Sequence, residues 1–236
     1  MRAIGRWSMV LATGLLAGAV IGGPVAAQEA SPSLATPEGA VRVYLDGLRQ
    51  RDLDALTAVS SAEAMAENVD FQAYIERLGA WQPFQAPAPA TDPLLIDLNR
   101  IQHVQQLLGQ TRLLIYGLLT DARLDGAVVA PADAAWATSF TRQLDLERLA
   151  DLQVGPIVPP DPELMAGERY RELTARQAAI YGADELTERV AAVSLEGRDW
   201  LVGFTLLRYG DEWSVSSQTS AIGGLPPTGA PMPVGD

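Results

Sequence analysis

Apolar and polar positions follow two different periods along this 236-residue chain. From residue 37 to about residue 149, apolar side chains mostly recur every three or four residues, the spacing of one face of a helix. From residue 187 onward they alternate with other residues, as in strands that cover a core on one side. The pattern predicts an α+β fold, in which a helix-rich N-terminal two thirds packs on a C-terminal antiparallel β-meander.

Three helix starts share one local signal, a side-chain acceptor followed by proline. Thr36-Pro37, Asp92-Pro93 and Asp161-Pro162 each place the acceptor at the N-cap and the proline at the first helical position, where no amide hydrogen is needed. The second of them predicts a long helix with one apolar face toward the core. The predicted core face of this helix is formed by Leu94, Leu98, Ile101, Val104, Leu108, Ile115 and Leu119.

The meander is predicted from three alternating segments and the two tight turns between them. The turns fall at residues 196–199 and 209–212. Short alternating segments joined in this way are typical of antiparallel strands that are neighbours in the sheet. The large side chains on one face of the middle strand are Trp200, Val202, Phe204 and Leu206.

The first 27 residues have the order of charge and hydrophobicity that is typical of an export signal. Arg2 and Arg6 form a basic head, an uncharged segment follows over residues 7–21, and small residues at 25–27 precede Gln28. Because a helix needs roughly 20 apolar residues to span a bilayer, a retained N-terminal anchor is the less favoured alternative. We expect residues 1–27 to be a signal peptide that is removed, and the protein to be secreted or periplasmic.

The remaining chain is predicted to hold one domain and a tail. Residues 28–222 are expected to form a single α+β domain, and the Pro/Ala-rich segment 82–92 is interpreted as an arm of that domain because Trp81 and Phe84 anchor it. Gly and Pro dominate after residue 222 and leave little to bury, so residues 223–236 are expected to be a disordered tail.

The composition excludes several classes of chemistry and of partner, but it does not identify a function. The chain has no cysteine, which excludes disulfides, thiol catalysis, thiolate zinc sites and a lipidated cysteine. The formal charge is −12, and loss of Arg2 and Arg6 would make it −14, so nucleic acid and anionic membrane surfaces are not expected as partners. All the basic residues are Arg, which indicates a GC-rich bacterial genome.

Two segments resemble the nuclear transport factor 2-like (cystatin-like) superfamily. Residues 36–48 and 51–56 are similar to the opening helix pair of those domains, and residues 204–215 to their last hairpin, where a turn precedes Trp213. The resemblance implies a cone-like fold in which a curved antiparallel sheet wraps on helices around a pocket. It also implies a wide choice of functions, since isomerases, dehydratases, hydrolases and purely binding domains share that fold.

His103 is the only histidine and the default candidate for a general base or metal ligand. On the predicted long helix it points about 160° away from Ile101 and Leu108, at the helical spacing of about 100° per residue. We therefore expect it to be solvated, and His103→Ala to change stability by less than roughly 0.5 kcal/mol. One histidine without cysteines predicts no metal site, and no cofactor is expected.

Asp97 and five aromatic residues each allow two interpretations. Asp97 falls within the apolar face of its helix, where a buried carboxylate could act as a base; the favoured interpretation pairs it with Arg100 near the helix N-terminus. The aromatic side chains are either core, which is favoured, or the lining of a ligand pocket. These candidate ligand-binding residues are Tyr44, Trp136, Trp200, Phe204 and Trp213.

The functional hypothesis that the sequence favours is an exported, non-catalytic domain. It would bind a small apolar ligand or a partner protein at the bacterial cell envelope. The first alternative is a proton-transfer isomerase or dehydratase with Asp97 as its base. The second is a structural accessory domain without a pocket.

Overall fold

The computed structural model describes residues 33–83, 86–122, 124 and 132–235. All of them lie within one unit, Pro32–Asp236. The predicted signal peptide, residues 1–27, lies outside the described residues. In the part of the chain that is described, none of the helices is long and apolar enough to cross a membrane.

Helices form most of the first two thirds of the chain. Their bounds are α1 Pro37–Gln50, α2 Leu53–Ala58, α3 Ala62–Asn68, α4 Phe71–Leu78, α5 Pro93–Leu119, α6 Ala134–Gln143, a 3₁₀-helix Leu146–Asp151, α7 Pro162–Ala166 and α8 Glu168–Ile180. The three predicted proline-bearing starts are confirmed, since Thr36, Asp92 and Asp161 accept hydrogen bonds from backbone amides of the first turns of α1, α5 and α7.

The strands form one antiparallel sheet. Their bounds are β1 Gln153–Val158, β2 Glu185–Leu195, β3 Arg198–Tyr209, β4 Glu212–Ser217 and β5 Met232–Pro233. The order is β1-β2-β3-β4, and β5 pairs with the start of β3. Glu196 and Gly197 join β2 to β3 with positive φ angles of 53° and 78°, as a tight hairpin turn of this hand requires. The predicted α+β fold and its meander are confirmed.

One face of the sheet packs on α1 and closes the main core. Alternation along β3 turns Val202, Phe204 and Leu206 toward this core, and all three are buried. The ring of Phe204 meets the ring of Tyr44 on α1 edge to face, with centroids 5.5 Å apart. Edge-to-face packing of this kind fixes the position of α1 on the sheet.

A buried polar network joins α1, α5 and the segment that follows β4. The Tyr44 hydroxyl is hydrogen-bonded to the Thr111 hydroxyl and donates to Oε1 of Gln218 at 3.1 Å. The Gln110 side chain in turn accepts a hydrogen bond from the Gln218 backbone amide at 2.7 Å. Burial raises the pKa of Tyr44, so the phenol stays protonated and donates.

The orientation of α5 differs from the predicted one. Leu94, Leu98 and Ile101 are 65%, 52% and 50% exposed, although the prediction placed them in the core; Leu119, at the other end of the predicted face, is buried as expected. The physical reason is that polar α5 side chains have partners inside the core. The buried residues of α5 are Asn99, Leu107, Gln110, Thr111, Leu114, Leu118 and Leu119.

The C-terminal segment is packed, and the prediction of a disordered tail is wrong for its described residues. Leu225 is buried, and Met232–Pro233 add a short strand to the sheet. The Gly229 carbonyl accepts a hydrogen bond from Nε2 of Gln218. Gly229 has φ 82°, and a Cβ there would lie 2.6 Å from Cβ of Gln110, so glycine is required at this close approach.

The sheet register generates a stability prediction. We expect Phe204→Ala to lower the free energy of unfolding by about 3–5 kcal/mol, because it deletes a fully buried ring and leaves a void. Thr205→Ala is the matched control on the opposite face. It loses the hydrogen bond from the Thr205 hydroxyl to the Thr219 carbonyl, and should cost about 1 kcal/mol. Urea denaturation of both variants measures the difference, and equal small losses would contradict the register.

Candidate functional site

The face of the sheet that points away from α1 carries a different set of residues. Thr205 and Leu207 alternate with the core residues of β3, and the register pairs them with Glu188 and Leu186 of β2. Helix α8 packs against β2 and adds its own side chains beside this face. The result is a second, smaller apolar cluster that includes Met65, Leu186 and Leu207.

A cavity of about 410 Å³ lies beside this second cluster. It is lined by residues of α3, α4, α5, α8, the sheet and the segment after β4, and we call it the α8 cavity. The residues that define it are Met65, His103, Tyr170, Tyr181, Glu188 and Leu207. Its volume lies within the range of about 300–1,000 Å³ that is usual for small-molecule sites.

His103 projects from α5 into the wall of the α8 cavity, so the expectation of a solvated histidine is wrong. Its ring packs edge to face on Tyr181, with centroids 5.8 Å apart. Its Nε2 atom is buried and has no hydrogen-bond partner among the described residues. Burial lowers the pKa of His103, which keeps the imidazole neutral near pH 7. The expectation was wrong because the prediction placed a different face of α5 against the core.

Tyr170 contributes the second buried polar atom without a partner. Its hydroxyl is buried and makes no hydrogen bond with the described residues, although the Thr187 side chain and the Glu188 backbone lie next to it. Burial, and next the nearby Glu188 carboxylate, raise the pKa of Tyr170 to about 12. The phenol therefore keeps its proton at neutral pH and can donate it to an acceptor in the cavity.

Glu188 is the buried acidic residue of the α8 cavity, at 7% exposure. Its Oε2 atom accepts hydrogen bonds from the Ser220 hydroxyl at 2.6 Å and from the Ile222 amide at 3.0 Å. Sequence reasoning missed Glu188. An acidic residue in an alternating strand usually faces water, and the donors here come from the end of the predicted domain, next to the segment expected to be disordered.

The five aromatic candidates lie away from the α8 cavity. Tyr44, Trp200, Phe204 and Trp213 are buried in the main core, on the α1 side of the sheet. Trp136 lies on α6, where it stacks on Phe140 with centroids 5.0 Å apart. None of them lines the α8 cavity, the apolar groove beside the middle of α5, or the cleft beside Glu63 and Arg100. The placement of Tyr44, Trp200, Phe204 and Trp213 matches the interpretation as core. Trp136 is only partly buried and belongs to neither of the two buried clusters.

Asp97 lies on the surface of α5. Its side chain is 54% exposed and forms an ion pair with Arg100, which also contacts Glu63 at 3.1 Å. The favoured interpretation of Asp97 as a surface residue paired with Arg100 is confirmed. Over the described ranges, no group of three His, Cys, Asp or Glu side chains is arranged to hold a metal ion.

An apolar groove of about 280 Å³ lies beside the middle of α5. Leu48, Leu53, Leu56, Leu108, Ile115 and Leu149 supply its apolar walls. The exposed leucines of α5 identified above occupy the N-terminal half of the same helix. Helix α5 therefore presents apolar surface that the described part of the chain leaves uncovered.

Comparison with known proteins yields one distant likeness. No protein-family model matches the sequence, and neither does any curated protein. The crystal structure of a cystatin-like protein from Ruminococcus gnavus ATCC 29149 is 18% identical, with a TM-score of 0.46. The match covers 78% of this chain and spans 40% of the length of that one. A likeness this distant carries no information about ligand or activity, and the superfamily resemblance stays a prediction.

The neutral, buried His103 generates a prediction about pH. Its pKa in the folded protein is below the ordinary value of 6.5, so the unfolded chain takes up a proton that the folded chain does not. The stabilisation from the neutral ring is complete above pH 6.5 and is lost as the pH falls toward the lowered pKa. We expect the free energy of unfolding to fall more between pH 8 and about pH 5.5 in the wild type than in His103→Gln. Urea denaturation at both pH values measures this, and equal losses would contradict the burial of His103.

Proposed function

We propose that this chain is an exported, non-catalytic domain that binds a small molecule in the α8 cavity. The observation that carries the proposal is the coincidence of a cavity with two buried, unpartnered polar atoms, Nε2 of His103 and the Tyr170 hydroxyl. A ligand that reaches both would satisfy polar groups that the described residues leave without partners.

It is unfavourable to bury those two atoms without partners. A buried polar group without a hydrogen bond costs about 1–3 kcal/mol, and folded proteins rarely retain one without a reason. Neutral His103 has one nitrogen that donates and one that accepts, and Tyr170 both donates and accepts. Ligand hydrogen bonds to these groups would offset the cost of burying them.

The lining favours an amphiphilic ligand over a purely apolar one. Met65, Leu186 and Leu207 provide an apolar wall, while His103, Tyr170 and Glu188 place polar groups nearby. Ligand sites are usually built in this way, with an apolar body and a few polar groups that fix orientation. This refines the hypothesis of a small apolar ligand. The presence of the cavity weighs against an accessory domain without a pocket.

The position of Asp97 supports a non-catalytic role over the isomerase alternative. That alternative requires a base held in an apolar site, where the pKa of a carboxyl is raised. Asp97 is exposed and paired with Arg100 instead. The order of charge and apolar residues in the first 27 residues supports export to the envelope or beyond.

Binding of a partner protein is the second candidate, and the exposed apolar surface of α5 favours it. Leu94, Leu98 and Ile101 lie on this surface, and Leu53 is exposed beside the apolar groove. Exposed apolar patches of this kind often mark protein interaction sites. The α8 cavity carries a more specific signal, because its unpartnered polar atoms require particular ligand groups.

A fluorescence titration tests the α8 cavity with N-phenyl-1-naphthylamine, a neutral apolar probe with one N–H donor. We expect saturable binding to the wild type. Gln177→Trp should weaken it by about tenfold or more, because Gln177 lines the cavity and an indole there would occupy the ligand volume.

Arg176→Trp is the matched control for this substitution. Arg176 is the neighbouring residue of α8, is largely exposed and is not among the residues that line the cavity. This variant should bind the probe within about twofold of the wild type. Absence of saturable binding to the wild type, or equal weakening by both variants, would overturn the proposal.

A further inference from the structure

We infer that the ligand of the α8 cavity carries a positively charged amine, which binds Glu188 and leaves its apolar part against the second cluster. The inference rests on the proposed function and specifies the chemical class of its ligand. It depends on the hydrogen bonds of Glu188, on the cations around it and on the aromatic residues that line the same cavity.

The Glu188 carboxylate is anchored on one side only. Oε2 accepts two hydrogen bonds, from the Ser220 hydroxyl and the Ile222 amide, so the carboxylate is held in a fixed position. The other oxygen, Oε1, has no hydrogen-bond donor among the described residues, and it is not one of their fully buried unpartnered atoms, so it is open to a ligand. A charged hydrogen bond to that oxygen is the contact that Glu188 still lacks, and an ammonium group of a ligand would supply it.

The cations near Glu188 are engaged elsewhere or exposed. The Arg189 guanidinium donates to the Glu38 carboxylate at 2.6 Å, to the Thr187 hydroxyl and to the backbone carbonyl of Glu188. Arg77 lines the cavity but is exposed to solvent. Burial keeps His103 neutral. A buried carboxylate without a cation is unfavourable, and a cationic ligand would remove that penalty.

Aromatic side chains and the overall charge favour the same ligand. Tyr170, Tyr181 and His103 line the cavity with Glu188, and aromatic rings attract ammonium groups. The chain has a formal charge of −12, so its field raises the local concentration of cations and lowers that of anions. An amine with an apolar body therefore suits the cavity better than a carboxylic acid of the same shape.

Three indoles of similar shape and different charge separate these classes. Tryptamine is a cation at pH 7, tryptophol is neutral, and indole-3-acetate is an anion. We expect isothermal titration calorimetry on the wild type to show tryptamine binding about tenfold or more tightly than tryptophol, because a hydrogen bond between an ammonium group and a carboxylate is stronger than one made by a neutral hydroxyl. Indole-3-acetate should bind most weakly.

Glu188→Gln tests whether Glu188 is the source of that preference. The amide retains a hydrogen-bond acceptor but loses the charge, so the ratio of tryptamine to tryptophol affinity should fall to about one. Glu185→Gln is the matched control, because Glu185 lies on the same strand, is exposed and is paired with Arg208. This control should keep the wild-type ratio. The comparison of the three indoles on the wild type requires no variant to fold.

The outcomes distinguish this inference from the proposed function. Tryptophol that binds as tightly as tryptamine, at a site blocked by Gln177→Trp, would overturn the inference and leave the α8 cavity as a binding site. A preference for tryptamine that survives Glu188→Gln would also overturn it. If neither the indoles nor N-phenyl-1-naphthylamine bind, both the proposed function and the inference are wrong.

Discussion

The buried polar network around Gln218 is the constraint on which the rest of the structure depends. The Gln218 side chain accepts a hydrogen bond from Tyr44 and donates hydrogen bonds to the backbone carbonyls of Gln110 and Gly229. The Gln218 backbone amide donates a further hydrogen bond to the Gln110 side chain. These bonds fix the rotation of α5 against the sheet and hold the C-terminal segment in place. Because α5 is rotated in this way, His103 enters the α8 cavity, and because the segment after β4 is fixed, Ser220 can reach the Glu188 carboxylate.

The free energies involved explain why the polar residues of α5, and not its many leucines, determine which face of the helix is buried. Exposing a leucine or isoleucine forgoes about 1.5–3 kcal/mol of burial, and α5 exposes three such residues in its N-terminal half. Turning α5 to bury them would expose Leu107, Leu114 and Leu118, so the apolar terms largely cancel. The turn would also leave several buried hydrogen-bonding groups without partners, at about 1–3 kcal/mol each. Because an unpaired polar group is especially unfavourable in a low-dielectric core, the loss of these hydrogen bonds determines the orientation of α5.

Local signals made much of the fold predictable, and long-range polar contacts made the rest unpredictable. The capped helix starts, the two hairpin turns and the pairing of Asp97 with Arg100 each involve residues a few positions apart. Which face of α5 is buried depends on the contact between Gln110 and Gln218, which are 108 residues apart. The burial of Glu188 depends on its contact with Ser220, which is 32 residues away. Hydrophobic periodicity does not identify partners that are distant in the sequence, so the residues that line the α8 cavity could not be predicted to lie together.

The two faces of the sheet differ in how completely their polar groups are paired. On the α1 side, aromatic and aliphatic side chains fill the space, and the network groups of Gln218, Gln110 and Tyr44 have partners. On the α8 side, polar atoms of His103 and Tyr170 have none among the described residues, and the Glu188 carboxylate is held at one oxygen only. A core whose polar network is paired on one face can tolerate such unfavourable groups on the other, where a bound ligand would compensate them. Of the three buried polar atoms without partners in the described part of the chain, two belong to residues that line this cavity, and the third is Nε of Arg49 on α1. The concentration of such atoms at one cavity is therefore an argument for binding there.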